Sequence, residues 1–429
     1  MKFFGVRAVR ACCLTLVVAG PVARAADAPS PLTLRQAVEA ALDGNPGLAT
    51  FAFDLRAQDA RIRQAGLRPP TEVSIAGENM LGSGETRGLD AAEFTLALSQ
   101  VVELGGKRDA RIAAARAGRG VLDVERQARQ LDVLAEVTRR FIAVATAQER
   151  LALARVASDL AERTVAASER RVAAAKAPHA ELDRARVARE RARLDERAIV
   201  IEADNARLQL AATWGETQPV VGGRRFNEVR ADLYTLPPPG DFAALAGQLA
   251  GNPDLLRFAS EARLRDAQLR LATTLRRPDL ALSGGVRRVE ASDDQAFVVS
   301  LAVPLFSGRR AQSYVAEVQA QRGRVDADRR ATEVAIQAAL YELYNRLRRA
   351  VEETRALQDD IVPRTEEALK ETEYAYQRGR YGYIELADAQ REFLAVRGAL
   401  IDSAAAAQGL RTEIERLTNA PLANAGIAP

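Results

Sequence analysis

The stretch Glu93-Phe-Thr-Leu-Ala-Leu-Ser-Gln-Val-Val-Glu-Leu-Gly-Gly-Lys-Arg-Asp-Ala-Arg111 changes its period in the middle. Phe94, Leu96 and Leu98 alternate with Thr95, Ala97 and Ser99, the two-residue period of a strand. After Gly105-Gly106 the apolar residues recur every three or four positions, with abundant alanine and no proline until Pro178. A strand with large apolar groups on one face and small groups on the other therefore runs into a long helix, about 107–176. At about 1.5 Å per residue it extends for roughly 105 Å. The same switch recurs at Phe297–Arg310 (FVVSLAVPLFSGRR), so the chain reads as two copies of one unit.

Working outward, Thr33 and Gln36 form a capping box for a first short helix, and Asn45-Pro46 opens a second that stops at Arg68-Pro69-Pro70. A strand from Val73 to Met80 and a Gly-rich loop lead to the opening stretch. Leu134, Val137, Phe141, Val144, Gln148 and Leu151 form a coiled-coil seam on the long helix. Ala177-Pro178 ends it, and a return helix spans 179–214. Residues 215–240 read as an irregular, proline-rich equatorial link. The order then repeats over 241–419. Asp241 caps a helix, Gly251-Asn252-Pro253 echoes Gly44-Asn45-Pro46, and Arg277-Pro278 echoes the earlier stop. Strands follow at 280–287 and 297–305 around a loop at 288–295. A second long helix spans 309–378 with the seam Leu340, Tyr344, Leu347 and Val351, and a return helix follows the turn at 379–382. The organisation is thus 1–25 signal, 26–214 first repeat, 215–240 link, 241–419 second repeat and 420–429 loose tail.

Composition agrees with long, closely packed helices: 48% of the 429 residues are hydrophobic, yet only 5% are aromatic, and 28% are charged. Residues 1–25 have a secretory signal's basic start, apolar core and Ala23-Arg24-Ala25 cleavage site. Cys12 and Cys13 both lie inside it and precede the apolar core, so the mature chain carries neither thiol nor lipoprotein cysteine. Cleavage removes four basic residues and no acidic ones, leaving 57 of each sign. The sequence pI of 9.2 is thus largely the signal's and gives no case for nucleic acid. No nucleophile elbow or phosphate loop is present, and His179 stands alone; an enzyme is not expected. Nor is a cofactor or a bound metal, because His179 and Met80 are the only soft ligands of the mature chain.

Four strands of about ten residues match the tilted transmembrane strand but cannot close a barrel within one chain. Open edges are not tolerated in lipid, so copies must complete the sheet. Three copies give twelve strands. In each half, two shorter helices end to end nearly match the long one, so six halves would wall a hollow helical tube.

The chain resembles the TolC family of outer-membrane efflux ducts over essentially all of its mature length. The resemblance rests on Leu32-Thr33-Leu34 through Asn45-Pro46, Val102–Arg108, Val303-Pro304-Leu305-Phe306, and Tyr376-Gln377-Arg378-Gly379 leading to Glu385–Gln390. Glu-Leu-Gly-Gly-Lys-Arg is most similar to the branch serving heavy-metal resistance-nodulation-division (RND) exporters. The resemblance implies an α+β membrane protein. Its strands would contribute to a trimeric twelve-stranded barrel and its helices to a periplasmic α-barrel. It also implies partners: a periplasmic adaptor, an inner-membrane RND pump and outer-membrane lipid. It implies that Glu385 and Asp388 narrow the tunnel as gate carboxylates, where an ordinary solvated helix face is the alternative. It implies a latch of Glu181 with Tyr376, Arg380 and Tyr381, although the basic residue is displaced by one from the family pattern. Lys176, Ala177, Gly379 and Gly382 would be adaptor-contact tips, the two glycines supplying positive φ, while Ala175 replaces the usual glycine and Pro178 makes that turn. A type I protein-secretion duct shares the fold, and a periplasmic coiled-coil scaffold would explain the hairpins but not the strands.

Overall fold

The computed structural model describes residues 31–236 and 238–419; the signal segment and the tail lie outside the described residues. Helices α1 (Leu34–Gly44) and α2 (Pro46–Ala65) precede strands β1 (Thr71–Glu78) and β2 (Glu93–Val102). Then come α3 (Lys107–Ala173), α4 (His179–Ala212) and the two-residue strands β3 (Val220–Val221) and β4 (Arg224–Arg225). The remainder is α5 (Phe242–Gln248), α6 (Pro253–Thr274), β5 (Leu280–Val289), β6 (Asp294–Ala302), α7 (Ser307–Ala356), α8 (Val362–Gln377) and α9 (Tyr383–Thr418).

Strands β1, β2, β5 and β6 form one antiparallel sheet in that order. Its register sorts the side chains by face. Val73 sits opposite Leu98 and Ile75 opposite Leu96; Leu96 faces Val286, which faces Phe297. The other face sets Ser74 beside Ala97, Gly285 and Val298. The apolar face is bare: Ile75 is 79% exposed, Phe297 91% and Val299 80%. Among the described residues β1 and β6 have no partner on their outer edges.

The junction with the helices is built by backbone conformation. Gly105 and Gly106 take φ of 82° and 73°, a left-handed region in which a side chain is costly. The Arg277 side chain closes over Gly105, where an added Cβ would meet it at 2.6 Å. Beside it, buried Lys107 pairs with Asp279 at 2.6 Å, and the same carboxylate oxygen accepts from the Leu104 amide. One ion pair thus ties the start of α3 to the start of β5. At the second junction Phe306 holds the left-handed position, φ 61°.

Below the sheet, α3 packs along α4, α6 and α9, α7 along α6 and α9, and α8 along α9. The alanines let these helices approach closely. Val137, Phe141 and Val144 of the first seam are buried with Trp214, Phe226 and Leu233; Leu340, Leu347 and Val351 of the second are buried with Leu245 and Ile414. Two asparagines work alike. The Asn45 side chain accepts from the Leu48 amide and donates to the Thr213 carbonyl; that of Asn252 accepts from Asp254 and donates to Leu417. Each fastens the start of a short helix to the end of a return helix.

Three expectations need correction. Residues 288–295 are not all loop, because β5 runs to Val289 and β6 starts at Asp294. Arg287 bonds to Glu93, Glu78 and Thr95 across the sheet. The link at 215–240 is not merely irregular: it holds the β3–β4 hairpin and a parallel bridge between Leu32 and Val229. Gln148 of the seam bonds to both backbone polar groups of Val229. The second long helix is interrupted by a π turn at Leu357–Ile361. Buried Leu340, Leu347 and Thr354 step by seven, then Leu369 and Tyr376 resume after fifteen. The wider turn absorbs the extra residue, which keeps α8 seated on the same seam.

Candidate functional site at the hairpin tips

The α3–α4 and α8–α9 hairpins end side by side, and a polar cluster joins them. Tyr376, in the last turn of α8, is 1% exposed. Its hydroxyl donates to Glu181 at 2.5 Å and contacts Ser168 at 2.9 Å. The Arg171 guanidinium lies over the Tyr376 ring, 4.4 Å from its centroid, and donates to the Tyr376 carbonyl at 2.6 Å. It also stands 3.5 Å from the Glu181 carboxylate. Higher up, Gln390 donates to Thr164. Leu160, Leu369, Leu386 and Phe393 pack above the cluster and keep water from it. Burial, and then the bond to Glu181, push the Tyr376 hydroxyl up to about 12. Its proton therefore stays in the bond throughout the physiological range.

The structure brings Glu181 and Tyr376 together. Of Arg380 and Tyr381, the Tyr381 carbonyl meets the cluster. Both donate their amides to Ala375, and the Tyr381 carbonyl accepts from Arg171. The basic side chain on the cluster is instead Arg171, on the other hairpin. Sequence reasoning missed it, although Leu160, Thr164, Ser168 and Arg171 share the three-and-four spacing of one α3 face.

The turns differ from expectation as well. Gly379 has φ 75°, but Gly382 has φ −89° and caps α9 in an extended conformation. In the other tip Ala175 itself takes the left-handed conformation, φ 55°. Lys176 and Gly379 are exposed at the extremity, with Ala177 partly so. Glu385 and Asp388 lie exposed on one face of α9. Each has local work: Glu385 accepts from the Gly382 amide, and Asp388 pairs with Arg391 at 3.0 Å. Among the described residues no group of three or more His, Cys, Asp or Glu could hold a metal ion. No described helix is long and apolar enough to cross a membrane.

Residues 37–216 and 245–420 match the outer membrane efflux protein family. Cobalt-zinc-cadmium resistance protein CzcC of Cupriavidus metallidurans is 27% identical over 371 residues, covering 86% of each chain. Nickel and cobalt resistance protein CnrC of the same organism is 29% identical over 335 residues, 75% of this chain and 76% of the relative. Among solved structures, CusC superposes with a TM-score of 0.68 at 17% identity, covering 91% of this chain and 92% of the other. The Vibrio cholerae outer-membrane protein VceC gives 0.66 at 19%, covering 90% and 96%. The fold is that of an outer-membrane channel. The chain belongs to the outer membrane efflux protein family, and its function is efflux across the outer membrane.

Proposed function

We propose that three copies assemble about one axis, closing a twelve-stranded transmembrane barrel above an α-helical periplasmic tunnel. The observation that carries this is the bare sheet. One chain offers four strands with a continuous apolar face and two open edges, a combination that lipid tolerates only if other strands complete the ring. The twofold family match and the paired roles of Asn45 and Asn252 support an internal repeat, so that three copies supply six similar walls.

The channel is the outermost member of a tripartite exporter, with a periplasmic adaptor and an inner-membrane RND pump. Its cargo is divalent transition-metal cations, the class named in the resistance relatives. Conduction is passive and selection rests with the pump. The exposed turns at Lys176–Ala177 and Gly379–Gly382 are the adaptor-facing extremities. The Glu181–Tyr376–Arg171 cluster latches the two hairpins of each copy in the closed state, and Glu385 and Asp388 line the tunnel where the tips converge.

Assembly is the test. The mature protein in nanodiscs should have three times the chain mass by native mass spectrometry and form channels in planar bilayers. A monodisperse monomer without channel activity would refute it.

A further inference from the structure

We propose that the π turn at Leu357–Ile361, with Pro363 beyond it and Gly398 at the same level on α9, is a hinge. About it the lower part of the second hairpin swings away from the first. The inference rests on the latch reading above and adds where the chain bends when the latch lets go.

It is the one extra residue between the buried positions that makes the π turn necessary, not the seam itself. Leu340, Leu347 and Thr354 face the seam at heptad spacing, and so do Leu369 and Tyr376. A chain one residue shorter between Thr354 and Leu369 would place all five on one uninterrupted seam with ordinary helical bonds. The extra residue therefore leaves a wider turn and the same buried side chains. Pro363 follows within two residues of the turn and lacks the amide that a regular helix would use.

The partner helix is weakened at the same height. Thr354 bonds to Ser403 across the hairpin at 2.9 Å. Five residues on from Thr354 is Asp359, the middle of the turn; five back from Ser403 is Gly398. An interior glycine is the poorest helix former after proline. No tight packing explains it, because a Cβ at Gly398 would meet Leu153 only at 4.0 Å. Both helical arms of the hairpin thus have their soft point at one level.

What lies above and below differs. Above, buried Thr354, Ser403 and the Ala350 carbonyl form a closed hydrogen-bond group, and α7 is held by both α6 and α9. Below, α8 packs along α9, and the polar ties of this lower part to the first hairpin cluster at the tip: those of Tyr376, the Arg171 bond to the Tyr381 carbonyl and, higher up, Gln390 to Thr164, beside the apolar contact of Leu160. Once those bonds break, the α8 end can move with the first turns of α9 as one body while the upper hairpin stays fixed.

Amide hydrogen exchange on the assembled full-length protein tests the hinge independently of the latch. Amides at 357–362 and 397–400 should exchange about tenfold faster than those at 343–354 and 404–412. Deletion of Gln358, an exposed residue of the turn, should abolish the difference at 357–362. Gly398→Ala, which adds one methyl group with only an ordinary contact to Leu153 at 4.0 Å, should slow its own stretch. Equal exchange above and at the turn in the wild type, or no slowing in either variant, overturns the hinge. A parallel reading is taken in bilayers. Tyr376→Phe should raise open probability, and the Gln358 deletion should reverse that rise. If exchange behaves as expected while Tyr376→Phe opens nothing, the hinge stands and the latch reading falls. If Tyr376→Phe opens the channel and the deletion does not reverse it, the hinge is overturned.

Discussion

Replacing Tyr376 by phenylalanine removes one oxygen and leaves the ring in place. That oxygen bonds to Glu181 at 2.5 Å and to Ser168 at 2.9 Å, in a residue 1% exposed. A hydrogen bond to a charged group contributes about 1.5–3 kcal/mol, and the buried Ser168 hydroxyl loses a partner at a further cost. Arg171 remains beside Glu181 at 3.5 Å and recovers part of this. A net loss of about 2 kcal/mol per copy shifts the closed–open balance roughly 30-fold at each tip. In planar bilayers, the Tyr376→Phe channel should spend far more time in high-conductance states than the wild type. Thermal unfolding of the upper core should be nearly unchanged, because the cluster lies at the extremity. Alkaline pH should act in the same direction. The hydroxyl's folded value of about 12 exceeds the free value of about 10. Its contribution is complete below pH about 10 and is lost as pH rises through the folded value. Wild-type conductance at pH 8 that matches the Tyr376→Phe channel would refute the reasoning.

Ala175→Gly should stabilise the protein by about 1 kcal/mol, because alanine holds a left-handed φ of 55° there; a lower melting temperature in detergent would contradict this. Lys107→Met leaves the Asp279 carboxylate without its cation at 2.6 Å and should cost about 3 kcal/mol, read as loss of assembled channel at the temperature where wild type survives SDS. Glu385→Ala with Asp388→Ala should reduce cation preference, measured as reversal potential across a salt gradient. The change should be modest, since Asp388 is already paired with Arg391, and an unmoved potential would remove both residues from the tunnel's narrow point.

The strand-to-helix switch at 93–111, the capping box at Thr33 and the asparagine caps were legible because each depends on neighbours within a turn or two. So were the two seams, whose apolar spacing records a buried face before any partner is known. The Gly105-Gly106 pair announced a junction for the same local reason. The proposal of several copies likewise rests on sequence features, since strand number and length conflict with an open edge in lipid.

What the chain order could not disclose was which distant groups meet. Arg171 lies more than two hundred residues from Tyr376, and nothing in the α3 pattern distinguishes it from neighbouring arginines until the hairpins are set side by side. That the Tyr381 carbonyl reaches Arg171 depends on the turn after Gly379, which the residue types alone do not show. The strand role of Arg287 needed Glu78 and Glu93 beside it. The π turn was hidden because a single added residue barely disturbs an apolar pattern, and only α9, packed against both sides of it, fixes which residues must stay on the seam. Local bonding wrote the elements into the sequence. Pairing across the hairpins, set by helix packing over long separations, decided the site.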